Sequence, residues 1–154
     1  MTIGGTNGGP VPELELEVPA KPIFARTARH AVGALTRLHD VPEDLLEDIK
    51  LAVSEACNTA LASTDLAGQP GNGTIRVSVW TDADRVVIDV VDPRGKPGRE
   101  VSGAPGDIDT EDLPFDRLLA LPIIRGLVDE VSITAEESGG VRIRMSVAFS
   151  PDGE

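Results

Sequence analysis

Apolar and polar residues alternate along five short stretches of the chain, the pattern expected of strands that bury one face of a sheet. These stretches are residues 14–18, 75–79, 86–90, 131–135 and 141–149. A short acidic turn separates the second stretch from the third, and two glycines, Gly139 and Gly140, precede the fifth. Both turns are typical of hairpins, so we predict that each of these two pairs of strands is a β-hairpin.

Three further stretches repeat apolar residues at three- and four-residue spacing, as amphipathic helices do. They cover about residues 23–38, 42–63 and 118–128, and Pro42 and Pro122 lie near the first turns of the second and third helices, where proline is tolerated. The resulting order is strand, helix, helix, hairpin, long loop, helix, hairpin. This order, with hairpins rather than repeated βαβ units, predicts an α+β two-layer sandwich.

The length of the chain indicates a single domain. It has 154 residues, of which 40% are hydrophobic, enough for a core. We predict a domain over residues 13–149, with a flexible Gly- and Pro-rich tail at residues 1–12 and a short tail at residues 150–154. Residues 93–114 contain prolines and glycines but few large apolar side chains, so we expect a lid-like loop there.

Charge and composition narrow the classes of function. A net charge of −12 disfavours direct binding to nucleic acid or to an anionic membrane, and no apolar run is long enough to cross a bilayer. The single cysteine, Cys57, excludes an internal disulfide framework, and it is expected to pack as a small hydrophobe. These features predict a cytoplasmic protein whose partners are other proteins or a small ligand.

Three segments of the chain, taken together, resemble one known family. They are residues 51–60 (LAVSEACNTA), residues 90–95 (VVDPRG) and residues 121–131 (LPIIRGLVDEV). They are similar to the N-box, the adenine-binding box and the C-terminal signature of the anti-sigma factor and serine-kinase branch of the GHKL ATPase superfamily. The resemblance covers about residues 14–149 and implies a Bergerat-type fold, in which three helices cover one face of a mixed, mostly antiparallel sheet.

The resemblance also implies a function. It implies an anti-sigma regulatory factor that binds a sigma factor and, in competition, an anti-anti-sigma protein. Active members phosphorylate the latter on serine, so ATP and Mg²⁺ are the implied cofactors. The resemblance leaves open whether this chain is an active kinase and whether it forms a homodimer. Two alternatives are a catalytically inactive pseudokinase of the same fold that sequesters its partners, and an unrelated acidic interaction module.

The N-box segment supplies the first candidate site residues. In the family, a glutamate acts as base for the partner's hydroxyl group, and an asparagine four residues later, on the same helix face, holds Mg²⁺. Glu55 matches the glutamate, whereas Thr59 stands four residues later and Asn58 stands one place early. The resemblance therefore implies Glu55 as the catalytic base and Asn58 and Thr59 as cofactor-binding residues, with Asn58 as the Mg²⁺ ligand. The alternative for Glu55 is an ordinary solvated position at the edge of the helix.

The adenine-binding segment supplies the second group. Asp92 matches the aspartate whose carboxylate accepts a hydrogen bond from the adenine amine; the alternative is an aspartate that opens a turn before proline. Gly95 lies one residue later than the family's glycine, and it is assigned to the same site. Lys96 belongs to a small basic cluster with Arg94 and Arg99 that can reach anionic oxygens.

The segment before the last predicted helix supplies the third group. The family has a glycine-rich phosphate loop there. Leu118 and Ala120 occupy the positions of its two glycines, and Leu121 follows. Ala120 and Leu121 are assigned to the cofactor site, whereas Leu118 either crowds the phosphate or is simply a core residue of the helix.

Overall fold

The computed structural model describes residues 10–66, 73–92, 122–135 and 141–150. In chain order the elements are β1 (Leu14–Pro19), α1 (Pro22–Leu38), α2 (Glu43–Leu66), β2 (Thr74–Thr81), β3 (Arg85–Asp92), β4 (Glu130–Ala135) and β5 (Val141–Ala148). Residues 122–125 form a short helical segment before β4. The five predicted strands and the first two predicted helices are confirmed, and α2 continues slightly beyond its predicted end.

Some predicted features lie outside the described residues. They are the lid-like loop at residues 93–114, the beginning of the third helix at residues 118–121, and the Gly139–Gly140 turn. Of the third predicted helix, residues 122–125 are helical, whereas residues 126–128 form a turn and a bend, so the helix ends earlier than predicted.

The five strands form one sheet in the order β1-β2-β3-β5-β4, and every pairing among them is antiparallel. The two predicted hairpin pairs, β2 with β3 and β4 with β5, are both present. The last strand, β5, lies between β3 and β4. As a result Asp92, at the end of β3, is paired with Val141, at the start of β5.

The core lies between the sheet and the two long helices. Alternate side chains of a strand point to the same face, and on β3 this places Val86, Ile88 and Val90 in a fully buried row. Ile124, from the short helical segment, is buried in the same core. Two layers packed on one core confirm the predicted α+β sandwich.

Close packing of the two helices fixes the position of α2 over the sheet. Helix α1 begins at Pro22, directly after the extended residue Lys21, and proline suits the first helical turn. Further along α1, Gly33 is buried, and a Cβ atom there would lie 3.2 Å from Cδ of Lys50 on α2. The missing side chain at Gly33 thus allows α1 and α2 to approach closely. Among the described helices, none is both long and apolar enough to span a membrane.

Candidate functional site

The end of β3 places a carboxylate group in the otherwise apolar layer beneath the helices. Asp92 follows Val86, Ile88 and Val90 in the inward-facing row of this strand, and only 3% of its surface is exposed. A buried carboxylate is costly unless polar groups surround it. Asp92 thus brings a charged group into the buried layer at the end of β3.

A cleft opens beside Asp92, between α2 and the strands β3, β5 and β4. It contains about 220 Å³ of empty space, part of which is open to solvent. Its described walls are Thr59, Ala60, Asp92, Ile133, Val141 and Ile143. Mostly apolar walls with a few converging polar groups are typical of sites for small molecules.

Helix α2 contributes a hydroxyl-bearing side chain to this cleft. Thr59 is buried, and its Oγ1 donates a hydrogen bond of 2.8 Å to the backbone carbonyl oxygen of Glu55, one helical turn earlier. Residues four apart lie on the same side of a helix, so Glu55, which is half-buried, lies on the cleft side of α2. The structure therefore brings Thr59 and Asp92 to one cleft, with Glu55 one turn away and not among the described walls.

Asn58 lies elsewhere on the same helix. Its side chain is exposed and is not part of the described cleft walls. Successive helical residues are rotated by about 100°, so the inward position of Thr59 turns Asn58 away. The structure does not bring Asn58 together with Asp92.

These walls can be compared with what Mg²⁺ requires. Mg²⁺ prefers a near-octahedral set of oxygen ligands. The described walls offer one carboxylate, from Asp92, and one hydroxyl, from Thr59, which already donates to its own helix. Within the described part of the chain, no group of three or more His, Cys, Asp or Glu side chains is placed to hold a metal ion. The described walls therefore lack the asparagine oxygen that the resemblance implies as the Mg²⁺ ligand.

The remaining predicted cofactor-binding residues lie outside the described part of the chain. These residues are Gly95, Lys96, Ala120 and Leu121, together with the nearby Arg94, Arg99 and Leu118. Their assignment stays a prediction.

Sequence reasoning missed the apolar walls of the cleft. Ile133 and Ile143 are paired across β4 and β5, and the alternation of these strands does predict that both face inward. The position of β5 between β3 and β4 brings these side chains next to Asp92. The signal that could have found them is the strand order, which is not encoded locally.

Comparison with known protein sequences places this chain in a family. A sequence model of the histidine kinase-like ATPase domain matches residues 18–147. The serine-protein kinase RsbW of Bacillus pumilus (strain SAFR-032) is 31% identical over 138 residues, which cover 86% of this chain and 83% of the relative. The serine-protein kinase RsbW of Bacillus licheniformis is 27% identical over 137 residues, with the same coverage.

Solved structures show the same fold. The structure of the RsbU and RsbW domains of a Mycobacterium tuberculosis protein matches 90% of this chain and 33% of its own, with a TM-score of 0.60 and 20% identity. A chain of the SiaB–SiaC complex from Pseudomonas aeruginosa matches 90% of this chain and 91% of its own, with a TM-score of 0.58 and 11% identity. The resemblance of the sequence is thereby confirmed, and the alternative of an unrelated interaction module is wrong. The chain belongs to the family of histidine kinase-like ATPase domains.

Proposed function

We propose that this chain is an anti-sigma regulatory factor that binds a sigma factor and, in competition with it, an anti-anti-sigma protein, and that an adenosine nucleotide occupies its cleft. The observation that carries this proposal is the meeting of Asp92 and Thr59 in one cleft, in a chain whose similarity to the RsbW serine-protein kinases extends over 86% of its length. The proposal places the protein in the cytoplasm and has it act on transcription through proteins rather than through DNA, consistent with the net charge of −12.

The chemistry of the described walls supports adenine as the part of the nucleotide that enters the cleft. The carboxylate of Asp92 can accept a hydrogen bond from the exocyclic amine of adenine, and a charged acceptor strengthens such a bond. Ile133 and Ile143 offer apolar surfaces to the faces of the ring. We propose that the base enters the cleft, while Gly95, Lys96, Ala120 and Leu121 stay the residues that the sequence resemblance assigns to the rest of the nucleotide.

Calorimetry with ADP tests the nucleotide part of this proposal. We expect ADP to bind and Asp92→Asn to weaken its binding about tenfold or more, a loss of about 1.4 kcal/mol. Asp84→Asn is the matched control, since Asp84 undergoes the same chemical change in the exposed β2–β3 turn. Equal ADP affinity in the two variants would contradict the role of Asp92, provided that circular dichroism shows both to be folded.

A displacement assay tests the regulatory part. The chain is immobilised, and a sigma factor from the same organism is bound to it. Addition of an anti-anti-sigma protein from that organism should release the sigma factor in a concentration-dependent manner. If no sigma factor of the organism is retained, the anti-sigma function is wrong, whatever the result with ADP.

The second candidate function is a serine-protein kinase. The Bacillus relatives carry that name, and Glu55 lies on the cleft side of α2, where a base could accept the proton of a partner's serine. In that case Glu55→Gln abolishes phosphorylation of the anti-anti-sigma protein without changing the affinity for ADP. Glu47→Gln, on the exposed surface of the same helix, is the control. A wild-type chain that transfers no phosphate from ATP to the partner leaves only sequestration.

A further inference from the structure

We infer that the cleft of this chain takes an adenosine nucleotide without a Mg²⁺ ligand from Asn58 or Thr59 of helix α2, so that binding of the nucleotide does not depend on Mg²⁺. This inference rests on the proposed nucleotide site, and it specifies how that site works. It follows from the two neighbouring residues Thr59 and Asn58, whose side chains the structure places in opposite environments.

The side-chain oxygen of Thr59 lies close to its own helix. The hydroxyl group of Thr59 is attached directly to Cβ, one bond closer to the helix than an asparagine amide oxygen would be. It donates its hydrogen to the carbonyl oxygen of Glu55 at 2.8 Å, and this bond holds the oxygen against its own helix. Thr59 therefore offers an oxygen that is held close to its own helix, whereas an asparagine at this position would extend an amide oxygen further into the cleft.

Asn58 has an amide oxygen that reaches further toward a metal ion than the hydroxyl oxygen of Thr59, but it is not among the described walls of the cleft. Its side chain is exposed to solvent. A rotation of α2 by about 100° that brought Asn58 to the direction of Thr59 would turn Cys57, which is only 1% exposed, to the solvent side where Asn58 lies. Moving such buried apolar surface into water is unfavourable. The packing of α2 thus keeps Asn58 away from the site.

Apart from Thr59, only Asp92 contributes a side-chain oxygen to the described walls of the cleft. The other four walls are apolar: Ala60, Ile133, Val141 and Ile143. The carboxylate of Asp92 is the acceptor that we propose for adenine. The described walls therefore offer the base a polar anchor and apolar contacts but offer a metal ion no second charged oxygen. Binding energy in this part of the cleft comes from the base.

The test compares ADP binding by calorimetry in excess MgCl₂ and in EDTA. For the wild-type chain we expect the two dissociation constants to agree within about threefold. Thr59→Asn supplies an amide oxygen at the inward position, and it should bind ADP about tenfold or more tightly with MgCl₂ than with EDTA, a step of about 1.4 kcal/mol. Asn58→Thr is the matched control, because it alters the exposed neighbour; it should behave as the wild type.

Where ADP binds, two results would overturn the inference. One is a wild-type chain whose ADP affinity rises about tenfold or more when MgCl₂ replaces EDTA. The other is a folded Thr59→Asn variant with no more Mg²⁺ dependence than the wild type. If Thr59→Asn does not fold, the wild-type comparison alone decides.

The result of the ADP experiment can be distinguished from the result of the displacement assay that tests the proposed anti-sigma function. Absence of ADP binding in both solutions overturns this inference, while the displacement of a sigma factor by an anti-anti-sigma protein is measured without nucleotide chemistry and stands or falls independently. Conversely, Mg²⁺-independent ADP binding supports the inference even where the partner assay fails.

Discussion

The carboxylate of Asp89 on β3 is held by the guanidinium group of Arg144 on β5 through two parallel hydrogen bonds of 2.7 and 2.8 Å. The two residues are direct partners across the antiparallel ladder. The guanidinium carbon of Arg144 also lies 5.6 Å from the centre of the Trp80 ring, within the range of a cation–π contact. Asp89 is only 1% exposed, although it faces away from the helices. A charged pair with an aromatic neighbour therefore organises the outer face of the sheet.

We predict that Asp89→Ala destabilises the fold more than loss of an exposed ion pair does. The variant removes a buried carboxylate that Arg142, at 3.3 Å, also contacts, and we expect a decrease of about 2–4 kcal/mol in the free energy of unfolding. Glu15→Ala is the control: its carboxylate contacts Arg76 at 3.5 Å, with both side chains partly exposed, and it should cost less than about 1 kcal/mol. Urea unfolding followed by circular dichroism measures both.

Equal losses in the two variants would mean that the bidentate pair contributes no more than a surface ion pair. Trp80, the only tryptophan, adds a second readout, because Asp89 holds the guanidinium group of Arg144 that lies beside its ring. We therefore expect a change in tryptophan fluorescence in Asp89→Ala and none in Glu15→Ala.

The fold was largely predictable from local patterns, and the site only in part. Alternation on β3 is enough to place Asp92 in the same row as Val90, because period-two geometry is local. The meeting of Asp92 with Thr59 depends on the strand order and on the rotation of α2, and both are set by packing between distant segments. The pairing of Asp89 with Arg144 is beyond sequence reasoning for the same reason, since the register of β3 against β5 joins residues 55 positions apart.

The exchanged order of asparagine and threonine at positions 58 and 59 is a second case in which the sequence alone does not identify the site residue. The sequence places an asparagine and a threonine next to each other, and it leaves open which of them reaches the site. The buried residues Ala56 and Cys57 determine the rotation of α2, and thereby place Thr59 inward. The resemblance selects Asn58 as the Mg²⁺ ligand by residue type, whereas the structure places Thr59, and not Asn58, among the described walls of the cleft.

We predict that enlarging Ala60 obstructs the cleft. Ala60 is 4% exposed and forms part of the cleft wall, so Ala60→Val adds two methyl groups where the base is proposed to bind. ADP affinity measured by calorimetry should fall about tenfold or more. Ala34→Val is the control, because it makes the same substitution on the exposed side of α1. The idea fails if both variants bind ADP as the wild type does.

We predict that glycine is tolerated, and is even favourable, at the junction of the two long helices. Asp40 has a positive φ of 56°, in the left-handed region where a Cβ atom is unfavourable, and its backbone N–H donates to the carbonyl oxygen of Arg37 at 3.3 Å. Asp40→Gly should raise the free energy of unfolding by about 0.5 kcal/mol. Ala34→Gly, within the exposed face of α1, should lower it by about 1 kcal/mol. Thermal unfolding of the two variants provides the comparison, and a loss of stability in Asp40→Gly would contradict the prediction.

The last prediction concerns the stability of the protein in alkaline solution. Burial raises the pKa of the Cys57 thiol from its usual value of 9.0 to about 12, because the thiolate is costly to form in the apolar core. Below about pH 8 the thiol is largely protonated in both the folded and the unfolded chain, and it adds little pH dependence. Between about pH 9 and pH 12 the unfolded chain releases this proton first, so the free energy of unfolding falls as the pH rises.

Urea unfolding at about pH 8 and at about pH 10.5 measures this fall. Other groups also titrate in this range, so the Cys57→Ala variant serves as the control. It lacks only the thiol, and the chain has no tyrosine to complicate the comparison. We expect the wild type to lose more stability between the two pH values than Cys57→Ala does. An identical loss in both would mean that the thiol ionises in the folded protein as readily as in the unfolded chain, and hence that Cys57 is not sealed within the core beneath α2.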